Sequence, residues 1–244
     1  MPFEIVALLT ISIFFVALLY SSVGHAGASG YIAVMTLFNL APDEIRPTAL
    51  ALNILVACIG TWQFYRAGHF VWSLFWPFAL LSVPMAFVGG YLNIPTLAFK
   101  LLVGVVLIFS AIQLLFRPQA EGKTQSPNKL VALGAGSGLG LLSGLTGTGG
   151  GIFLTPLLIF MRWAHTKNAA GVSAPFILLN SLSGLTGNIS STSNLPAIIW
   201  PLLLSVAIAG SIGSYAGSRK LPTTAIRRLL AAVLLIAGLK LMFT

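Results

Sequence analysis

The chain reads as a succession of apolar runs separated by short polar breaks, almost from end to end. In its first half the runs occupy 3–23, 29–41, 46–66, 71–92 and 97–116. In the second half they occupy 129–146, 150–162, 167–189, 197–217 and 223–243. Most approach the ~20 residues that an α-helix needs to cross a ~30 Å hydrocarbon core. The second run of each half is shorter and follows a glycine-rich stretch, 24–30 in one half and 144–151 in the other. A short apolar segment beside glycines predicts a re-entrant hairpin or a broken helix, and either returns the chain to the side it left. The pattern predicts an all-α membrane protein, a polytopic helical bundle.

One stretch alone reads as a soluble linker, 117–129, and it divides the chain almost in half. A repeat runs across it. Trp76-Pro77 recurs as Trp200-Pro201 and Gly89-Gly90-Tyr91 as Gly213-Ser214-Tyr215, both 124 positions later. Ile94-Pro95-Thr96 recurs as Leu221-Pro222-Thr223, followed in each half by a basic residue (Lys100, Arg227) and a terminal Phe (Phe116, Phe243). The expected organisation is a first repeat over 1–116, a linker over 117–129 and a second repeat over 130–244. Five segments per half, an odd number, make the two repeats inverted. In a transporter of that architecture the cargo sits near the midplane where the halves meet.

Composition narrows the class further. Of 244 residues 57% are hydrophobic and 7% charged, against roughly 25% charged in a soluble domain. A soluble enzyme, a secreted scaffold and a nucleic-acid binder are excluded, and the lipid bilayer is the partner that remains. The formal charge of +9 comes from 13 Lys and Arg against four acids. Its placement has a topological reading. Arg66, Arg117, Lys123, Lys129, Arg162, Lys167, Arg219, Lys220, Arg227 and Arg228 fall on one side of the predicted segments, and Arg46, Lys100 and Lys240 on the other. Basic loops stay in the cytoplasm, so the linker is expected there and both termini in the periplasm. The first run lacks a basic leader and reads as a mature helix rather than a cleaved signal. Cys58 is the single cysteine, which rules out a disulfide framework and a cysteine metal site. Trp62, Trp72, Trp76, Trp163 and Trp200 lie near segment ends, as in an aromatic belt.

The glycine stretches carry the most information about chemistry. Residues 142–151 superficially offer a GxGxxG pattern, but no strand precedes it and no Lys-Ser/Thr follows, so nucleotide binding is not expected. Two roles remain. Glycines let helices approach closely, or an unwound glycine backbone presents N–H groups at a helix start, where the dipole favours an anion. Polar side chains gather at the same places: Ser22, His25 and Ser29 beside the first stretch, Ser143, Thr146 and Thr148 in the second. The third segments add Thr48 and Asn53, and Ser173 and Asn180. Hydroxyls and amides can donate to an oxyanion without a buried full charge. His25 is the one histidine predicted inside the membrane, as an anion contact or a proton carrier; His69 and His165 fall in predicted loops. Asp43 and Glu44 also fall in a predicted loop, which leaves a carboxylate proton relay or a carboxylate-ligated Na⁺ site hard to build. The absence of a catalytic set argues against a membrane enzyme.

These residues resemble a known family. The run Ser143-Gly144-Leu145-Thr146-Gly147-Thr148-Gly149-Gly150-Gly151-Ile152-Phe153-Leu154-Thr155-Pro156, followed by Ala170-Gly171-Val172-Ser173, is similar to the TauE/SafE sulfite exporter family, and the likeness covers essentially the whole chain. In the first half His25 and Ala28-Ser29 interrupt the glycine run, and Met35 stands where the family pattern has Pro. The resemblance implies a secondary transporter of the bacterial inner membrane. Its cargo would be a small sulfur-containing anion, sulfite or an organosulfonate such as sulfoacetate, and no enzyme activity, cofactor or metal is implied. The expected substrate-binding set is Ser22, Gly24, His25, Gly27, Ser29, Gly30, Asn53, Thr146, Gly147, Thr148, Gly149, Gly150, Ser173 and Asn180, with Asn53, Ser173 and Asn180 as supporting donors. The rival expectation is a non-transporting assembly or sensory subunit whose glycines serve helix packing. The sequence leaves direction, ion coupling and oligomeric state open.

Overall fold

A computed structural model describes residues 3–22, 24–116, 124–192 and 199–219, together with 235–236, 238–239 and 242–243. Nine helices run through the four longer stretches: α1 (Phe3–Ser22), α2 (Ala28–Leu37), α3 (Pro42–Arg66), α4 (Trp72–Tyr91), α5 (Thr96–Phe116), α6 (Lys129–Thr146), α7 (Gly151–Phe160), α8 (Thr166–Thr192) and α9 (Ile199–Arg219). Six of them, α1, α3, α4, α6, α8 and α9, are long and apolar enough to cross a bilayer. This is a multi-pass helical membrane protein. Linker residues 117–123 and most of the tenth predicted segment lie outside the described residues.

The predicted runs that fall on described residues reappear as helices with shifts of up to four residues at their ends: α2 stops at Leu37 rather than at 41, and α3 starts early. It begins at Pro42 rather than at 46. Proline is tolerated in a first turn because the N–H it lacks would have no intrahelical partner there. The Glu44 carboxylate then accepts from the Ala41 N–H at 3.3 Å. Asp43 and Glu44, expected in a loop, therefore sit in the first turn of α3, where acidic groups complement the positive end of the helix.

The two short runs are half-length helices. α2 and α7 have ten residues each, about 15 Å at 1.5 Å per residue, half the ~30 Å core. Each is joined to the preceding helix by a glycine turn. After α1, the His25 N–H reaches back to the Tyr20 carbonyl at 3.0 Å. The chain then passes through Gly27 at φ 105° into α2. After α6, Gly147 takes φ 78° and its N–H caps the Ser143 carbonyl at 2.9 Å, while Gly150 at φ 77° opens α7.

Around these half-length helices α4 packs along α6 and α1 along α9, while α3 and α8 cross between them. The α4–α6 seam is backbone against backbone. A methyl added at Gly136, Gly140 or Gly144 would run into the carbonyls of Phe78, Ser82 and Ala86, a small-residue stripe at four-residue spacing. Gly213 on α9 meets the Leu18 carbonyl of α1 in the same way. One apolar cluster, including Ile13, Tyr31, Met35 and Leu52, fills the space around α2, and another, including Phe78, Leu154 and Phe176, surrounds α7.

The two ends of the bundle differ. At one, the turns before α4, α6 and α8 lie together: the Gln125 N–H donates to the Arg162 carbonyl at 2.8 Å and Asn168 Nδ2 to the His69 carbonyl at 3.5 Å. Arg66, Lys129, Arg162 and Lys167 belong to this end. At the other, the start of α3 meets the turn after α4 through Arg46.

Candidate substrate site at the two glycine turns

Asn53, in the middle of α3 and fully buried, joins the two glycine turns. Its Oδ1 accepts from the Ala28 N–H at 3.0 Å, which is the first N–H of α2. Its Nδ2 donates to the Thr148 carbonyl at 3.2 Å and to Ser181 Oγ at 3.3 Å. One amide thus fixes the start of α2, the turn that leads into α7 and the flank of α8. The first N–H groups of a helix have no intrahelical acceptor, so the starts of α2 and α7 bring polar, partly positive backbone into the apolar interior near this side chain.

Backbone conformation accounts for the glycines here. Gly24, Gly27, Gly147, Gly149 and Gly150 all have positive φ, a region closed to most side chains. At Gly149 the requirement is double, because a methyl would also strike Asn53 Nδ2, Ser181 Oγ and the Ile177 side chain. At Gly147 the methyl would lie 3.2 Å from Arg46 Cγ. Close packing accounts for some of the glycines and backbone conformation for others. Gly136, Gly140 and Gly144 serve the seam, and the turn glycines serve a conformation that other residues cannot hold.

The expected hydroxyls divide. Ser22 Oγ donates to the Leu19 carbonyl at 2.7 Å and Thr146 Oγ1 to the Leu142 carbonyl at 2.7 Å, both within their own helices. Ser29 Oγ lies 3.1 Å from the Tyr20 hydroxyl, and Ser173 Oγ accepts from Thr155 Oγ1 at 2.7 Å. Thr148 Oγ1 and Thr146 Oγ1 are 2.9 Å apart. Asn180 Nδ2 donates to the Phe176 carbonyl at 2.8 Å, leaving Oδ1 buried and unbonded. Asn180 therefore presents a buried acceptor in addition to the donor expected of it, since an amide NH2 carries two N–H groups and Phe176 takes one. Ser143 Oγ and Thr48 Oγ1 are likewise buried without a partner. On α8, Phe176, Asn180 and Gly184 share one face. Phe176 abuts Gly150, as does Ser143 Cβ, and Gly184 abuts Gly144, so Asn180 sits between two contacts to the second glycine turn.

His25 is buried and lines a cavity of about 10 Å³ with Ser21, Gly24, Val56, Gly60, Phe64 and Ser214. That is about the room one water needs. It lies toward the end of the bundle that carries Arg66, since a Cβ at Gly24 would touch Phe64 and the Ala170 side chain.

Arg46 was read from the sequence as a topological charge at a segment end. It is instead 5% exposed. Nε donates to the Gly144 carbonyl at 2.9 Å and Nη1 to the Leu92 carbonyl at 3.0 Å, while Nη2 reaches the carbonyls of Gly89 and Gly90. Gly89, Gly90 and Gly144 lie in the last turns of α4 and α6, whose carbonyls have no intrahelical donors. A guanidinium fits because it carries five donors in a fixed fork and its charge opposes the negative helix ends. The signal was present in the sequence: once Pro42 and the acids are recognised as a helix start, Arg46 falls inside α3.

Comparison with known proteins extends this picture. A family model for the sulfite exporter TauE/SafE matches residues 9–241. A probable membrane transporter protein of Sinorhizobium fredii is 40% identical over 240 residues, covering 96% of this chain and 97% of the relative. A probable membrane transporter protein of Methanocaldococcus jannaschii is 25% identical over 261 residues, covering 98% and 97%. No solved structure matches.

Proposed function

The chain belongs to the sulfite exporter TauE/SafE family and is a membrane transporter; from that premise we propose that its cargo is a small oxyanion, sulfite or an organosulfonate such as sulfoacetate. The observation that carries this reading is the meeting of two glycine turns, each opening a half-length helix, at Asn53. Helix starts favour an anion, and discontinuous helices in corresponding positions of two repeats mark a transporter site. Substrate would be held by backbone N–H groups of 24–30 and 147–151, with Ser29, Thr148 and Asn53 exchanging their present partners for its oxygens.

The two halves act as inverted repeats in this proposal. The packing supports a two-fold relation, since exchanging the halves turns the α1–α9 pair into the α4–α6 pair, and an odd number of segments per half sets its axis in the membrane plane. Arg66, Lys129, Arg162 and Lys167 then mark the cytoplasmic end, in the bacterial inner membrane, with both termini periplasmic. The inside-negative potential favours anion exit by ~2.3 kcal/mol per charge per 100 mV, so export needs no coupled ion.

The test is flux into sealed liposomes containing only this protein, with labelled sulfoacetate on one side. Saturable uptake, competed by sulfite and not by acetate, is the expected result. Protein that is folded and inserted yet moves none of sulfite, sulfoacetate, thiosulfate and sulfate would refute the proposal and favour a packing role for the glycines.

A further inference from the structure

The end of the bundle that carries Arg66 holds a cavity of about 420 Å³, remote in the chain from the glycine turns. Its walls come from four places: the start of α4 (Ser73), the segment before α6 (Ser126), the start of α6 (Lys129), and the turn into α8 (Trp163, His165 and Asn168). That volume is in the range of small-molecule sites. The cavity is amphipathic, with Val71, Leu74, Pro77 and the Trp163 ring offering apolar surface, and hydroxyls, an indole N–H and an ammonium offering donors. Among the described residues no Asp or Glu lines it.

Three helices, α4, α6 and α8, begin at this cavity with their positive dipole ends toward it. Helix starts commonly carry acids for this reason, and α3 does so with Asp43 and Glu44. The first turns of α4, α6 and α8 carry none. α6 goes further and places Lys129 in its first turn, a position where the dipole disfavours a cation; the Lys129 ammonium lies 5.8 Å from the Trp76 ring. His69, behind the cavity wall, is held below the usual imidazole range by burial and by the Lys167 charge, so it adds little charge near neutral pH. The positive potential of this cavity is therefore built from helix ends and Lys129, and none of its described lining residues carries a negative charge.

We propose that this cavity is a second binding site, for an organic anion with an oxyanion head and a short apolar body, and that it loads cargo on the basic side of the transporter. The loading role rests on the oxyanion-transport reading above; the binding site does not. The head sits among Lys129, Ser126 and His165, and the body lies on Trp163. An anionic phospholipid headgroup carries the same chemistry, and the two sources separate in the test.

The full-length protein is placed in phosphatidylcholine nanodiscs and titrated with sulfoacetate by calorimetry, alongside the double variant Lys129→Gln, His165→Gln. Both side chains are exposed, so folding is preserved, and circular dichroism checks it. Affinity in the variant is expected to fall at least tenfold, and KM for sulfoacetate flux to rise in step with kcat unchanged. If phosphatidylglycerol in the nanodisc abolishes the sulfoacetate signal in wild type and not in the variant, the site stands with lipid as its occupant and the loading role falls. Equal binding of both sulfoacetate and phosphatidylglycerol by wild type and variant would overturn the site itself. Lost binding in the variant, with no flux even in wild type, would keep the site and refute oxyanion transport instead.

Discussion

Replacing Arg46 by Met tests whether a buried cation without an acid partner holds two helix ends together. Met nearly matches the length of the aliphatic stem, so packing beside Gly147 is retained while four donor contacts are lost. Exchange of a buried ion pair for apolar residues is often harmless when both partners are exchanged. Here the partners are main-chain carbonyls of Gly89, Gly90, Leu92 and Gly144, which no substitution removes. Hydrogen bonds to a charged group contribute about 1.5–3 kcal/mol each, and an orphaned buried acceptor costs about 1–3. Removing the guanidinium also removes its own desolvation cost, so the contributions do not sum, and a net loss of about 3 kcal/mol is expected. At roughly 2–4 °C per kcal/mol for a chain of this length, the midpoint should fall by ~6–12 °C. Lys, a single ammonium with three donors, should fall by about half as much. The assay is thermal unfolding of purified protein at one scan rate, since irreversible transitions depend on it. An Arg46→Met protein within 2 °C of wild type would show that these carbonyls do not depend on the side chain, and the two-helix clamp would be abandoned.

Gly140→Ala should lower thermal stability by several degrees, because its methyl meets the Ser82 carbonyl, whereas Gly134→Ala, with open space around it, should be neutral or gain up to ~1 kcal/mol of helix propensity. Gly149→Ala should reduce sulfoacetate affinity in protein that still inserts; a loss of stability with unchanged affinity in the folded fraction would make this turn purely structural. His25→Gln should weaken binding without altering proton movement in sulfonate flux measured from pH 6 to 8, and acidification that is present in wild type and lost in the variant would make His25 a proton carrier. With Cys58 replaced by Ser, cysteines introduced at Gln119 and at Thr244 should label from opposite sides of the membrane; labelling from one side would rule out the inverted repeat.

Most helices were legible because a bilayer imposes one demand on every span, a run of apolar residues of fixed length. The half-length of α2 and α7 was readable for the same reason, since 13 apolar residues beside glycines cannot cross. What escaped depends on contacts distant in sequence. Arg46 was counted with the loop charges because hydropathy assigns a cation to the nearest segment end, and only the carbonyls of Gly89 and Gly144 reveal where it goes. Asn53 could be named as polar and membrane-buried, but its role in tying α2 to the second glycine turn spans 95 positions. Asn180 was expected to donate; one of its two N–H groups bonds its own helix, and its buried Oδ1 adds an acceptor that residue type alone did not reveal. The glycines of 144–151 had two explanations that sequence left unresolved. Spacing alone marks which glycines can serve a seam, since 136, 140 and 144 share one helix face and 147–150 share none.

The α4–α6 seam has a consequence for how the protein is made. Ribosomes deliver α4 to the membrane long before α6 exists, and the carbonyls of Phe78, Ser82 and Ala86 then face lipid or an insertion chaperone instead of Gly136, Gly140 and Gly144. α1 waits longer still, for α9. Neither half of the polypeptide can therefore complete its packing alone, and a fragment ending near residue 116 should be degraded when expressed by itself. Supplied as two separate chains in one cell, the halves have every contact they need to find each other.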